Sequence, residues 1–422
     1  MAKHSLNQQQ RKIVTLAALG GMLEFYDFII YGVFSIYFAH QFFPSHNELI
    51  IIIQSYLVFV LGYIARPIGG IIFSHIGDEH GRKKVLIITI VLMGVASLGI
   101  GLLPTYSQIG IAAPFLLLIL RLIQGLALGG ELPSTYVYIS ETIAKNRGIA
   151  FGLTMSGVNG GLLLGMLVNY ILNYFFTTEQ LTEFGWRLPF IIGGFACMIS
   201  YRIRKTLHET VVFQRVHDKP KVPLIYLFRY HWIEVFAGTA MVAVMSGLVV
   251  VAIIFMPTYL HEMLKLDNQD ISYAMTALMI VNIFAIYFSG RIAEYYEPFI
   301  ILKWLLLLCC FLIPLSYLFI HGAHVTIGLI ILGFLEGVAA MITPYAITSI
   351  FESKICLTGV AFCYNVGFTL FGGLAPLIVT NVIREGYNVY QTPSIYLLIM
   401  VLICSVGLAI LTRKVQQNND KK

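Results

Sequence analysis

The stretch Arg121-Leu-Ile-Gln-Gly-Leu-Ala-Leu-Gly-Gly-Glu131 lies inside an apolar run that begins near Ala112. The block ahead of it, Phe115 to Leu120, is wholly hydrophobic, so Arg121 is carried deep into hydrocarbon. A guanidinium there costs from about 3 to more than about 10 kcal/mol. That cost is tolerable where a partner or a water-filled cavity relieves it. Gly125 and Gly129 stand one turn apart and make a small-xxx-small face, which lets a second helix backbone come close. The stretch reads as a membrane helix with a charge on one face and a packing seam on another.

The composition agrees. Of 422 residues 58% are hydrophobic and 11% charged, where an average soluble chain has about 25% charged residues. This is a polytopic membrane protein. Twelve apolar spans fall at 13–40, 50–74, 85–103, 112–140, 147–176, 186–201, 231–262, 271–289, 298–320, 324–350, 356–383 and 393–412, each near the roughly 20 residues a bilayer requires. The one long polar stretch, Arg202 to Tyr230, is basic and carries Pro220 and Pro223. It divides the chain into an N-terminal six-helix bundle (1–201), a cytoplasmic linker (202–230) and a C-terminal six-helix bundle (231–422). The halves echo each other: Gln124-Gly125 matches Glu336-Gly337, Gly148-Ile-Ala-Phe151 matches Gly359-Val-Ala-Phe362, and Gly161 falls on Gly372. Internal repeats of this kind typify secondary transporters, whose site lies between the repeats near the midplane.

Charge gives the orientation. Of the 27 Lys and Arg, only Arg187, Lys265 and Arg384 fall in outer segments if the N-terminus is inside, with Arg66 and Arg121 in or near spans. The positive-inside rule then puts both termini on the cytoplasmic side. The first span carries acids and lacks a small-residue cleavage site, so it is expected to be a retained helix and not a signal peptide. The six cysteines fall in or at the ends of apolar segments without a CxxC pair, and read as small buried residues. The histidines lie at termini, loops or span ends, so no haem or metal chemistry is expected. No G-x-x-x-x-G-K-[ST] occurs, which argues against ATP-driven transport. Neither a cofactor nor an enzymatic activity is expected. The expected partners are a small-molecule substrate, protons and the lipid bilayer. Nucleic acid is not among them, and the chain is expected to act as a monomer.

The loop Ser74-His-Ile-Gly-Asp78-Glu-His-Gly81-Arg82-Lys83-Lys84 joins spans two and three. Gly81 offers a turn position that tolerates positive φ. Asp78 and Arg82 are close enough to pair, locking neighbouring helices until the halves rock. A plain basic anchor would need only the Lys and Arg.

This loop resembles the major facilitator superfamily motif G-x-x-x-D-x-x-G-R-[RK]. Three further stretches are similar to the metabolite:proton symporters, a group that includes proline/betaine, α-ketoglutarate, citrate and shikimate transporters. Leu23-Glu24-Phe25-Tyr26-Asp27-Phe28 is similar to L-E-W-Y-D-F, Arg121 to Glu131 to R-x-x-Q-G-x-x-x-G-G-E, and Gly185-Trp186-Arg187-Leu188-Pro189-Phe190 to G-W-R-I-P-F. Tyr364-Asn365 with Phe371-Gly372-Gly373-Leu374-Ala375-Pro376 resembles Y-N…F-G-G-x-x-P. The resemblance implies an all-α membrane fold of two pseudo-symmetric bundles, alternating access and a bacterial inner-membrane location. There are departures. Ser74 replaces the first loop glycine, Phe25 replaces the tryptophan, and no base precedes Thr358-Gly359. The second-half loop keeps only Gly290 and Glu294, so its gate is expected to be weaker or different. No coiled extension is expected after the last span.

Glu24 and Asp27, at i and i+3, are expected on nearly one face of the first helix. Burial and a second carboxylate one turn away both disfavour the charged form, so one of them can take a proton near neutral pH. Arg121 lies at similar depth and either neutralises these acids or binds a substrate carboxylate. Arg66 is placed near the inner end of the second span. Tyr26, Tyr31 and Gln124 join the substrate candidates, among aromatic residues that include Phe25, Phe28 and Tyr56. Rings attract ammonium groups by about 0.5–2 kcal/mol, so one Arg, two acids and aromatic walls suit a zwitterion better than citrate. Glu336 is expected in the cavity of the second half without a basic partner. Asn365 either contacts substrate or bonds a neighbouring helix. Glu131 is placed towards the inner end of the fourth span, and Glu141 with Arg147 is expected at an inner gate. The expected function is proton-coupled import of a proline- or betaine-like zwitterion. An organic-acid symporter and a proton-independent facilitator are the alternatives.

Overall fold

In hydrocarbon every backbone N–H and C=O must pair within its own segment, so apolar runs become helices. The computed structural model describes residues 6–44, 48–216, 220–322 and 324–419, and no strand occurs among them. The spans are α1 (Gln8–Phe42), α2 (Glu48–His80), α3 (Arg82–Leu102), α4 (Ala112–Thr142), α5 (Arg147–Phe175) and α6 (Arg187–Arg204). The second half has α7 (Trp232–Leu248), α8 (Asn268–Ile292), α9 (Pro298–His321), α10 (Val325–Thr348), α11 (Cys356–Gly367) and α12 (Thr392–Asn419). Eleven are long and apolar enough to cross a membrane; α6 makes a twelfth together with the short stretch Thr178–Gly185, bent against it by 47°.

The seam foreseen on α4 is real, and its partner is α2. A Cβ added at Gly125 would strike the Gly62 carbonyl, and one at Gly129 the Arg66 carbonyl. The second half repeats this, with Gly337 of α10 against Asn282 of α8. The two halves meet along α2 with α11 and along α5 with α8. Large apolar side chains such as Phe311 and Leu318 are exposed on the outer surface, the expected lining for lipid. Cys310 is exposed there too, so the expectation of buried cysteines holds only for the other five.

Helix ends differ from the hydropathy limits where polar side chains are drawn into the bundle. α6 runs on to Arg204, which is buried and not part of the connecting segment. α7 and α11 each continue as a π-helical stretch, Val249–Ile254 and Phe368–Gly373. π-turns inside helices are often found at functional sites, and both stretches help line the cavity described next.

Candidate functional site

α4 places Arg121 and Gln124 one turn apart, both buried. Arg121 Nη1 donates to Gln124 Oε1 at 2.6 Å, and the guanidinium lies 3.6 Å from the centre of the Tyr31 ring on α1. Gln124 Nε2 then donates to Asp27 at 3.1 Å and to Ser97 of α3 at 3.0 Å. Ser97 also donates to Asp27. Asp27 thus ends a chain that starts at Arg121 and passes through an amide. The Tyr26 hydroxyl donates to the Pro189 carbonyl at 3.0 Å and that of Tyr31 to the Ser55 carbonyl at 3.3 Å. Tyr31 therefore offers Arg121 its ring face. The side chains of Phe28 and Tyr56 lie outside the described residues.

Glu24 points elsewhere. Its carboxylate is 3.8 Å from the Arg66 guanidinium, and both side chains are buried. Two expectations need correcting. Glu24 and Asp27 do not share Arg121, because three residues of helix separate their directions by roughly 60° and the two directions meet different neighbours. Nor is Arg66 at a helix end, since α2 runs on to His80 and leaves it near mid-helix. At 3.8 Å the pair is too long for a hydrogen bond. Neither Glu24 oxygen, nor Arg66 Nε or Nη2, has a hydrogen-bond partner among the described residues. Rings from both halves surround the guanidinium: Tyr63 at 5.1 Å, Tyr364 at 6.0 Å and Phe368 at 5.7 Å. The pair lines a cavity of about 20 Å³ with Phe25, Tyr63, Val249, Ile254 and Phe368 among its walls, room for about one water.

Two more acids and an amide are placed. Glu131, expected near the inner end of its helix, is locked in the bundle by Arg204 at 2.5 and 3.0 Å, with Thr89 donating at 2.5 Å. Glu336 is fully buried on α10 and accepts from Asn282 of α8, while Asn159 of α5 donates to Asn282 at 3.1 Å. Asn365 donates to the Gly129 carbonyl at 2.8 Å. This is the bond to a neighbouring helix, here across the halves, and it leaves Asn365 Oδ1 without a hydrogen-bond partner among the described residues.

A latch closes the end of the molecule where α1 begins and α12 stops. Gly81 turns the chain there at φ 110°, a conformation glycine adopts at little cost. Arg82 pairs with Asp78 at 3.3 Å and Glu141 at 2.9 Å, and donates to the Ser353 carbonyl of the second half at 2.7 Å. Asp78 accepts from the Thr358 N–H at 2.9 Å and hydroxyl at 2.7 Å, at the first turn of α11. Glu141 and Arg147, both expected at an inner gate, bond separately: Glu141 faces Arg82 and Thr210, and Arg147 Nε donates to the Ile143 carbonyl. Glu294 supplies the mirror contact, accepting the Ile149 N–H at 2.8 Å at the first turn of α5. The second-half loop thus contacts the opposite half through Glu294. On the adjoining loop Lys354 lies over the Tyr226 ring at 4.7 Å and pairs with Glu352 at 2.9 Å. Bonding to Tyr226, then to Glu352, raises its ammonium above the usual lysine range.

The sequence pattern of the Major Facilitator Superfamily matches residues 17–376. The chain belongs to this superfamily. A protein from Staphylococcus aureus (strain MSSA476), named provisionally as a proline/betaine transporter, is 30% identical over 388 residues, 90% of this chain and 83% of that one. The glycine betaine/proline/ectoine/pipecolic acid transporter OusA of Dickeya dadantii is 28% identical over 417 residues, 93% of this chain and 81% of its own. Among solved structures, the proton:xylose symporter XylE superposes with a TM-score of 0.76 at 15% identity, covering 93% of this chain and 94% of that one. The chain is a multi-pass secondary transporter and not an enzyme.

Several residues bonded to these side chains carry weak sequence signals. Ser97, Asn159 and Asn282 sit in apolar runs, and a polar side chain in such a run was the available signal. Arg204 looked like one more base of a basic segment. Ser353 and Thr358 carry no sequence signal of their partners.

Proposed function

We propose that the protein imports a small zwitterion together with protons, and that Glu24 and Arg66 hold its two charges. The carrying observation is that buried pair, 3.8 Å apart without a hydrogen bond, at the junction of the halves and walled by rings from both. A guanidinium presents a planar fork to a carboxylate, and aromatic faces with a nearby acid suit a quaternary or secondary ammonium. A zwitterion placed between the two side chains replaces their mutual attraction with two better contacts. A tricarboxylate would meet only one available guanidinium, with Glu24 opposing it. The names of the relatives favour proline and betaine as the compounds to try.

In this reading Asp27 carries the proton. Its charge orients Gln124, and Gln124 holds Arg121, so protonation loosens a chain that links α1, α3 and α4. The end that holds both termini is the cytoplasmic one. The test is uptake of labelled glycine betaine and proline into proteoliposomes with and without an inward proton gradient. Gradient-driven accumulation is expected, lost in Asp27→Asn while exchange of substrate for substrate persists. Accumulation indifferent to the gradient would leave a plain facilitator. Competition by citrate or α-ketoglutarate, with none by betaine or proline, would assign an organic acid instead.

A further inference from the structure

The other buried acids each have a cation in reach or several donors: Glu131 has Arg204, Asp78 and Glu141 have Arg82, Glu24 has Arg66, and Asp27 has Ser97 and Gln124. Glu336 differs. It is fully buried, its Oε2 accepts from Asn282 alone, and no donor reaches Oε1 among the described residues. Among the described residues, no charged side chain faces it from the elements packed on α10. Those of α8 are at its ends (Asp270, Arg291), and those of α9, α7 and α5 are Lys303 with His321, Glu234 and Arg147. α4 holds Arg121 on Gln124, Glu131 on Arg204 and Glu141 on Arg82, while Cys356–Gly367 and Val249–Ile254 have none. The remaining titratable groups on these elements, such as Cys309, Tyr136 and Tyr364, are neutral thiols and phenols.

An isolated ionised carboxylate so placed costs far more than one amide hydrogen bond returns. A neutral acid fits: Oε2 as the carbonyl that accepts from Asn282, Oε1 as the hydroxyl. The orientation of Asn282 is fixed independently, because its Nδ2 also donates to the Gly333 carbonyl at 3.1 Å, which can only accept. Its oxygen is thereby turned outward to Asn159 of α5, across the junction of the halves. We propose that Glu336 is a second proton-binding group, and that Asn282 and Asn159 tie its proton to closure of α5 against α8. When the halves part there, Asn159 leaves, water reaches the carboxyl, and the proton on Oε1 passes to that water.

The inference rests on proton-coupled import and adds a second proton to each cycle. The experiment is limiting accumulation in proteoliposomes at a one-unit inward pH gradient with the membrane potential clamped at zero, using glycine betaine and proline. Two protons per substrate give about a hundredfold accumulation and one proton about tenfold. The wild type is expected near the first value and Glu336→Gln near the second, with Asn159→Ala, which cuts the tie but keeps the acid, also below the wild type. A wild type limited to tenfold, or Glu336→Gln equal to the wild type, overturns the second site while leaving coupling through Asp27 standing. No accumulation by the wild type at all defeats the proton-coupled reading itself. Since the amide is the isostere of the neutral acid, Glu336→Gln should fold with unchanged thermal stability. Failure to fold would mean that a carboxylate charge is required there, and would also overturn the proposal.

Discussion

Glu24 and Asp27 are three residues apart on α1, yet Glu24 faces the Arg66 guanidinium of α2, beside rings of the other half, and Asp27 an amide and a hydroxyl on α4 and α3. That division makes the charges separable by substitution. Arg66→Lys keeps the charge but loses the planar fork, so half-saturation for the zwitterion should rise roughly tenfold, about 1.4 kcal/mol, with the maximal rate little changed; initial rates over a concentration series measure this. The Glu131–Arg204 pair behaves otherwise. Arg204→Met leaves Glu131 buried without its cation and should cost about 3–5 kcal/mol of stability. Adding Glu131→Gln to Arg204→Met should recover most of it, and thermal unfolding in detergent measures both. A double variant no more stable than the single one would mean that Arg204 holds the bundle through its bond to the Leu86 carbonyl. From sequence, the presence of acids and bases at mid-depth was legible but their partners were not. Partners depend on which neighbour a helix face meets, and Arg204 was hidden by a run of bases that are solvent-facing for the most part.

At the scale of elements, α2 and α4 pack backbone to backbone, since Gly125 faces the Gly62 carbonyl. This seam sets the depth at which Arg66 on one helix and Arg121 on the other enter the bundle. Gly125→Leu forces the helices apart, and overpacking of this kind costs about 1–3 kcal/mol. A lower melting temperature and loss of substrate binding are expected together. Gly32→Ala, where an added Cβ meets nothing within 4 Å, is the control and should leave both unchanged. Twelve spans and the α4 seam were legible because hydrophobicity and glycine spacing are properties of one helix. The π-helical continuations of α7 and α11 were not, because the same apolar run suits either winding.

At the scale of the whole molecule, the latch bonds the two halves together at the end that holds both termini. Among the described residues, Asp78 receives two donors from the first turn of α11 and pairs with Arg82, whereas Glu294 receives the Ile149 N–H at the first turn of α5. Two carboxylates thus cap two helix N-termini at the same end, each from the opposite half. The unequal number of donors predicts unequal effects. Hydrogen bonds to a charged group contribute about 1.5–3 kcal/mol each, so Asp78→Asn should shift the equilibrium towards opening by about 2 kcal/mol, roughly thirtyfold. Glu294→Gln should shift it less. Cys356, buried beside the latch, is a native reporter. With the other five cysteines replaced by alanine, its alkylation by a membrane-impermeant reagent should speed up in that order, and only when the reagent is on the side of the termini. Equal rates in both variants and the parent would mean that the halves are held together elsewhere, at the α5–α8 junction where Asn159 meets Asn282. Labelling from the opposite face would reverse the orientation proposed for the protein.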